Sequence, residues 1–122
     1  MQYLVQLRLK SSASPKTRQE GAAFIEQYIY PTLGLGQKLQ EEKKILAGGP
    51  VSGTVALALI VSADSAQELD DLVTGLPVWP LMESEVTPLS TFEARKQALL
   101  PRLEQLKTET PNSAARGKDG KQ

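Results

Sequence analysis

Four polar residues in two short segments are spaced so that they could carry out acid–base chemistry. Near the N-terminus Gln6 and Arg8 alternate with apolar residues, and further along the chain Glu83 and Glu85 flank Ser84. Residues two apart on a β-strand point to the same face, so each pair shares one side of a strand. A carboxylate can remove a proton beside a carbonyl group while a guanidinium holds a substrate carboxylate. The spacing therefore predicts Glu85 or Glu83 as a base, with Arg8 and Gln6 binding the substrate.

The same four residues also have a purely structural interpretation. If the first and last strands are neighbours in one sheet, Arg8 and Gln6 lie across from Glu83 and Glu85. A plain cross-strand ion pair near a subunit boundary would then satisfy the charges without any catalysis. Such pairs are common in sheets, and the sequence alone leaves both interpretations open.

Two aromatic residues are candidates for the wall of a ligand pocket. Trp79 stands just before Pro80 in a rigid connector, and Tyr30 stands just before Pro31. The alternative for Trp79 is a hydrophobic plug at the end of the sheet or an oligomer contact. Tyr30 lies two residues from Tyr28 on a predicted helix, so the two rings do not share a face. We therefore expect Tyr28 in the core, and Tyr30 is kept as a candidate for a pocket wall.

The composition excludes several kinds of chemistry. The 122 residues include no histidine and no cysteine, which removes the commonest general base, thiolate nucleophiles and the usual transition-metal ligands. We expect no metal site and no cofactor. Lys and Arg together number 14, as do Asp and Glu, and aromatic residues make up only 5%. This balance gives no reason to expect a nucleic-acid partner.

The hydropathy pattern predicts a cytoplasmic protein without a membrane partner. Residues 1–10 alternate between polar and apolar types and lack the apolar centre of a signal peptide. The longest apolar run, residues 55–61, is far shorter than a membrane span.

The periodicity of apolar residues predicts a small α+β domain. Strands are predicted at residues 2–10, 45–47, 54–62 and 82–88. Residues 15–44 are predicted to form two helical pieces joined by a kink or short loop, with Ser14 as the N-cap, and Asp64 or Ser65 caps the next helix. The order is β-α-β-β-α-β, which is the ferredoxin-like arrangement, followed by a C-terminal helix. We predict one domain over residues 1–107 and a disordered tail over residues 108–122.

The strand at residues 54–62 is apolar on both faces, which indicates that both faces of the sheet are covered. Two helices cover one face. A second copy of the sheet is the economical cover for the other, so we expect a homodimer or higher homo-oligomer that forms a dimeric α+β barrel.

The segment 45–89 resembles a known enzyme family. Its run Leu-Pro-Val-Trp-Pro-Leu-Met-Glu-Ser-Glu-Val, residues 76–86, is similar to the Leu-Pro-apolar-aromatic-Pro-x-Met-acidic-x-Glu-Val signature of muconolactone delta-isomerases. The resemblance implies a ferredoxin-like fold assembled into dimers and larger closed oligomers. It also implies that Trp79 stands at the edge of a pocket.

The chain departs from this family where the family's pocket is charged. Members carry histidine and arginine along the strand that corresponds to residues 45–50, where they help to make a cationic pocket for a carboxylated lactone. Here that stretch is Ile-Leu-Ala-Gly-Gly-Pro. A lysine of the family's first strand corresponds to Gln6.

These observations predict a protein that resembles muconolactone isomerases and acts on or binds a small molecule. In its most concrete form it is a cofactor-free isomerase that moves a proton and a double bond in a lactone or enol. The alternative is a non-catalytic oligomeric ligand-binding or assembly module, which the uncharged stretch and the lack of histidine favour. A cofactor-free oxygenase or cyclase is a third possibility that rests on fold analogy alone.

Overall fold

The computed structural model describes residues 1–108, which fall into two compact units, Met1–Leu89 and a second unit that begins at Ser90. The predicted tail at residues 108–122 lies outside the described residues apart from Thr108, and the predicted extent of the domain, residues 1–107, stays a prediction. Within residues 1–108, no helix has the length and apolar character that a membrane span requires.

The first unit is a four-stranded antiparallel sheet with helices. Strands β1 (Gln2–Leu9), β2 (Ile45–Pro50), β3 (Ala56–Ser62) and β4 (Met82–Leu89) are arranged in the order β2-β3-β1-β4. The helices are α1 (Arg18–Phe24), α2 (Tyr30–Glu41) and α3 (Ala66–Thr74). This order and these connections confirm the ferredoxin-like α+β fold.

One face of the sheet forms the core. Along β1, Tyr3, Val5 and Leu7 are buried, which confirms the strand that their alternation predicts. They stand opposite Val61, Leu59 and Leu57 of β3 in the antiparallel register. Because side chains alternate along a strand, the residues between them face the other way. That outer face carries Gln2, Leu4, Gln6 and Arg8 of β1 and Ala56, Ala58, Ile60 and Ser62 of β3.

The helical stretch before β2 is continuous, in contrast to the two pieces that the sequence predicts. A π-helical segment, Ile25–Ile29, joins α1 directly to α2. Pro31 is the second residue of α2, directly after this wider turn. The N-cap is Thr17, whose side chain accepts a hydrogen bond from the Glu20 N–H at 3.0 Å, and the predicted cap at Ser14 is wrong.

A buried threonine ties α2 to the connector before β4. Thr32 is 5% exposed and is the one buried polar residue in the described part of the chain. Its Oγ1 accepts a hydrogen bond of 3.1 Å from the Val78 N–H. Val78 belongs to the Pro77–Pro80 connector, and residues 79–81 form a short 3₁₀ turn. The bond holds the N-terminal half of α2 against this end of the sheet.

Helix α4 (Phe92–Thr108) belongs to the second unit. Thr91 caps it, because its Oγ1 accepts a hydrogen bond from the Ala94 N–H at 2.9 Å. The helix continues through Pro101. Its apolar side chains are all exposed: Phe92, Leu99, Leu100, Leu103 and Leu106.

Candidate functional site

The four residues singled out for acid–base chemistry lie together on the outer face of the sheet. In the register of β1 with β4, Arg8 is directly opposite Glu83 and Gln6 is directly opposite Glu85. Directly opposed side chains on an antiparallel pair have Cβ atoms about 5 Å apart, and diagonal neighbours about 7–8 Å apart. The predicted juxtaposition is therefore present in a single subunit.

This group lines a shallow depression that we call the outer hollow. It has a volume of about 490 Å³, and the loop residues Val51 and Thr54 complete its rim. All four polar residues are exposed. Water reaches the hollow freely in one subunit, so a reaction that needs a dry site would need the outer face to be covered.

Arg8 and Glu83 face each other without forming an ion pair. Among residues 1–108 the only ion pair within 4.0 Å joins Lys44 and Glu42. The cross-strand ion pair that offered a structural explanation for these charges is therefore not formed in the single subunit. The guanidinium and the two carboxylates remain available to a ligand or to a second copy of the chain.

Tyr30 and Trp79 lie away from the outer hollow. Tyr30 is 67% exposed and lines a cleft between α2 and β2, on the helix side of the sheet. Trp79 is 36% exposed in the 3₁₀ turn, and its backbone N–H donates to the Leu76 carbonyl at 2.9 Å. Its neighbours Leu76 and Val78, rather than Trp79 itself, line the clefts on the helix side. The six candidate residues therefore do not form one site within a single chain.

The cleft that Tyr30 lines, which we call the inner cleft, has a volume of about 540 Å³. Its walls come from one side of α2 and from β2 and β3. Fourteen residues line it: Tyr30, Thr32, Leu33, Gly34, Gly36, Gln37, Gln40, Ile45, Gly48, Gly49, Pro50, Leu57, Leu59 and Leu76. Sequence reasoning identified only Tyr30 among these as a candidate. The helical glycines Gly34 and Gly36 were the available signal, because glycine is costly inside a helix.

A second cavity of about 490 Å³ adjoins the inner cleft and shares Thr32, Leu33, Pro50 and Leu57 with it. Phe24, Ile25 and Ile29 line it together with the start of β3. The π-helical segment therefore lines this cavity through Ile25 and Ile29, a position in keeping with the frequent location of π turns at functional sites.

Residues 1–108 contain no cluster of three or more acidic, histidine or cysteine side chains that could hold a metal ion. The polar side chains that line the outer hollow are two carboxylates, one guanidinium, one amide and two hydroxyls.

Two solved structures are similar to this chain. Muconolactone isomerase superposes with a TM-score of 0.61 at 24% identity, covering 75% of this chain and 90% of that one. The 5-chloro-2-hydroxyhydroquinone dehydrochlorinase of Burkholderia phenoliruptrix, in complex with 2,5-dihydroxybenzoquinone, superposes with a TM-score of 0.57 at 20% identity. That match covers 77% of this chain and 98% of the other. At these identities the likeness concerns the fold.

A search of curated proteins finds no match. The family model described as muconolactone delta-isomerase matches residues 1–95, which extends the resemblance well beyond segment 45–89 and takes in the whole sheet. With most of its length matched, this chain belongs to the muconolactone delta-isomerase family.

Proposed function

We propose that this protein is a cofactor-free small-molecule isomerase that moves a proton and a double bond in a lactone or enol substrate. Arg8 and Gln6 bind an anionic oxygen of the substrate, and a glutamate opposite them transfers the proton. The observation that carries the proposal is the register of β1 with β4, which sets Arg8 and Gln6 opposite Glu83 and Glu85 without an ion pair.

The proposed reaction needs no other reactant. The glutamate takes a proton from the carbon beside the carbonyl, and the C–H electron pair becomes part of an enolate. The protonated glutamate then returns the proton to a different carbon, which leaves the double bond shifted. Substrate and product have the same atoms and electrons, so no oxidant or reductant takes part.

The comparisons support the general class of this activity. The family that the chain belongs to is named for an isomerase. One similar structure is an isomerase, and the other is a dehydrochlorinase with a dihydroxybenzoquinone bound. Both names describe enzymes of small molecules.

The experiment is proton NMR of muconolactone in deuterated buffer, with and without the purified protein. Double-bond migration, or deuterium uptake at one carbon well above the rate without protein, is the expected result. Unchanged spectra at high protein concentration would contradict the proposal for this substrate and leave the family assignment intact.

The second candidate function is a non-catalytic ligand-binding module. The inner cleft favours it, because no acidic or basic residue is among the described residues that line it. A protein that binds a ligand only there would give line broadening of that ligand without isotope exchange.

We also propose that two copies associate through the outer face of the sheet. Ala58 lies near the centre of that face, opposite Gln6, and is half-buried in the single subunit. Ala58→Arg should therefore convert a dimer to monomers in sedimentation velocity. Ala66→Arg, in the first turn of α3 and exposed, is the matched control and should leave the dimer intact. A monomeric wild-type protein, or a dimeric Ala58→Arg variant, would contradict this assembly.

A further inference from the structure

Helix α4 has an apolar side that the described part of the chain leaves uncovered. Phe92 is 96% exposed, and Leu99, Leu103 and Leu106 are each about half exposed. With about 100° of rotation per residue, these four side chains fall within an arc of about 60°. We call them the apolar stripe of α4. A contiguous apolar patch of this kind is typical of a surface that binds a partner.

The stripe runs along the helix without interruption. Pro101 is the one residue inside α4 that could disturb it. It lies about 170° from the centre of the stripe, on the opposite side of the helix. The proline ring and the missing N–H therefore leave the apolar side continuous.

Four cationic residues border the stripe, two on each side. Arg95 and Arg102 lie on one side, and Lys96 and Lys107 lie on the other. All four are within about 70° of the centre of the stripe. All are exposed, and none forms an ion pair with another of residues 1–108. The apolar side of α4 is therefore framed by positive charge.

The two glutamates of the helix lie away from the stripe. Glu93 and Glu104 are at least about 110° from its centre. The Glu93 carboxylate accepts a hydrogen bond of 3.0 Å from the side-chain amide of Gln97, one turn further along the same side. Charge is therefore divided across the helix, with the cations beside the stripe and the carboxylates away from it.

This distribution selects the chemistry of the partner. Two copies of α4 that met stripe to stripe would bring cations against cations on both flanks, which is unfavourable. A neutral apolar surface would bury the stripe but would offer the cations no opposite charge. An anionic lipid surface meets both needs, because acyl chains receive the stripe and phosphates lie along both of its sides. The long stems of lysine and arginine let their charged ends reach the phosphates.

We propose that α4 lies in the surface of an anionic lipid bilayer, with its apolar stripe among the acyl chains and its four cations against the lipid phosphates. The expectation of no membrane partner rested on the lack of a spanning segment and of a signal peptide, and a helix that lies in the surface needs neither. The family model ends at residue 95, so most of α4 lies outside the matched region. The proposal is therefore independent of the proposed isomerase activity.

Co-sedimentation of the full-length protein with lipid vesicles tests the class of partner. Vesicles of equal parts phosphatidylglycerol and phosphatidylcholine should bind the protein at least about tenfold more tightly than vesicles of phosphatidylcholine alone. Binding should weaken as NaCl is raised from about 0.05 M to about 0.5 M, because salt screens the charges. Equal binding to the two kinds of vesicle would overturn the proposal. Lack of binding to the anionic vesicles would also overturn it and would favour an acidic groove on a protein.

Substitutions within α4 test the role of the stripe. Leu99→Gln together with Leu103→Gln removes half of the stripe, keeps every charge and keeps good helix formers. It should weaken binding to the anionic vesicles by at least about tenfold, because less apolar surface is buried. Ala94→Gln together with Ala98→Gln is the matched control on the other side of the helix, and it should leave binding unchanged. Full binding of the leucine variant, or lost binding of the alanine variant, would contradict the assignment.

A pair of charge variants tests the role of the cations. Arg95→Gln together with Arg102→Gln should weaken binding to the anionic vesicles by at least about tenfold and leave binding to neutral vesicles unchanged. Glu93→Gln together with Glu104→Gln should strengthen binding to the anionic vesicles. If the arginine variant binds them as well as the wild type does, the proposal is wrong.

A second copy of the chain is the competing cover for the stripe. Sedimentation velocity of the Leu99→Gln, Leu103→Gln variant without lipid separates the two possibilities. An unchanged oligomeric state together with weakened vesicle binding supports a lipid-binding helix. A changed oligomeric state would show that α4 is a subunit contact and would overturn the proposal.

Discussion

Glu85→Gln is expected to slow isotope exchange into muconolactone by at least about 100-fold, the lower end of the range for loss of a general base. Glutamine preserves the size of the side chain and its hydrogen bonding but cannot accept the proton. Glu85 is the better placed of the two glutamates, because Glu83 directly opposes Arg8 and would crowd a carboxylate bound there. Glu85 is the diagonal neighbour of Arg8 across the two strands, at a distance of about 7–8 Å. A small substrate can span this distance.

Glu83→Gln and Glu41→Gln are the controls for this prediction. Glu83 is in the same hollow, and its loss should change the exchange rate by less than about tenfold if it does not transfer the proton. Glu41 is an exposed glutamate at the end of α2, and its substitution should have no effect. NMR time courses at equal protein concentration measure all three. An unchanged rate in both hollow variants would show that the chemistry does not take place on the outer face.

Gly48→Ala is expected to lower the free energy of unfolding by about 2–4 kcal/mol. Gly48 has φ of 101°, which is unfavourable for residues with a side chain. A Cβ at this position would also overlap the carbonyl oxygen of Ala58 on the neighbouring strand. Both the backbone of β2 and its pairing with β3 would have to move, and this edge of the sheet would loosen.

Gly49→Ala is the matched control for Gly48→Ala. Gly49 has no positive φ, and an added Cβ would meet no atom within 4 Å. Its substitution should therefore change stability by less than about 0.5 kcal/mol. Urea unfolding followed by far-UV circular dichroism gives both values. Equal stability of the two variants would show that strand β2 tolerates a side chain at Gly48.

The sheet and the outer hollow could be predicted from the sequence because both depend on simple periodicity. Alternation of apolar and polar residues identifies β1 and its buried face. In the β-α-β-β-α-β order the last strand lies beside the first, which places Glu83 and Glu85 near Arg8 and Gln6. The register that the structure shows, with Arg8 opposite Glu83, agrees with that prediction.

The helical stretch before β2 was predicted less well because local signals and tertiary packing disagree there. Pro31, Gly34 and Gly36 all disfavour a helix, and they led to the prediction of two helical pieces joined by a kink or short loop. In the structure Leu39 is buried in the core, and the Thr32–Val78 hydrogen bond holds the same helix at its other end. These long-range contacts outweigh the low propensity, and the π-helical segment absorbs the irregularity.

The inner cleft could not be predicted from the sequence because no single segment contains it. It exists only where α2 lies beside β2, two elements that are joined by a short turn but contribute different walls. A helical glycine in the sequence indicates weak propensity or a close approach, and only the structure shows that Gly34 and Gly36 face open space.

Both edges of the sheet discourage strand-by-strand aggregation. On β4 the exposed edge carries Glu83 and Glu85, and Pro88 lacks an N–H to donate. On β2 the register shifts between Ile45 and Ala47, and the strand ends at Pro50. Growth by edge addition has no natural end, whereas the pairing of two sheet faces is complete at two copies. These edge residues therefore oppose fibril formation, and the proposed association through the outer face would give a closed assembly.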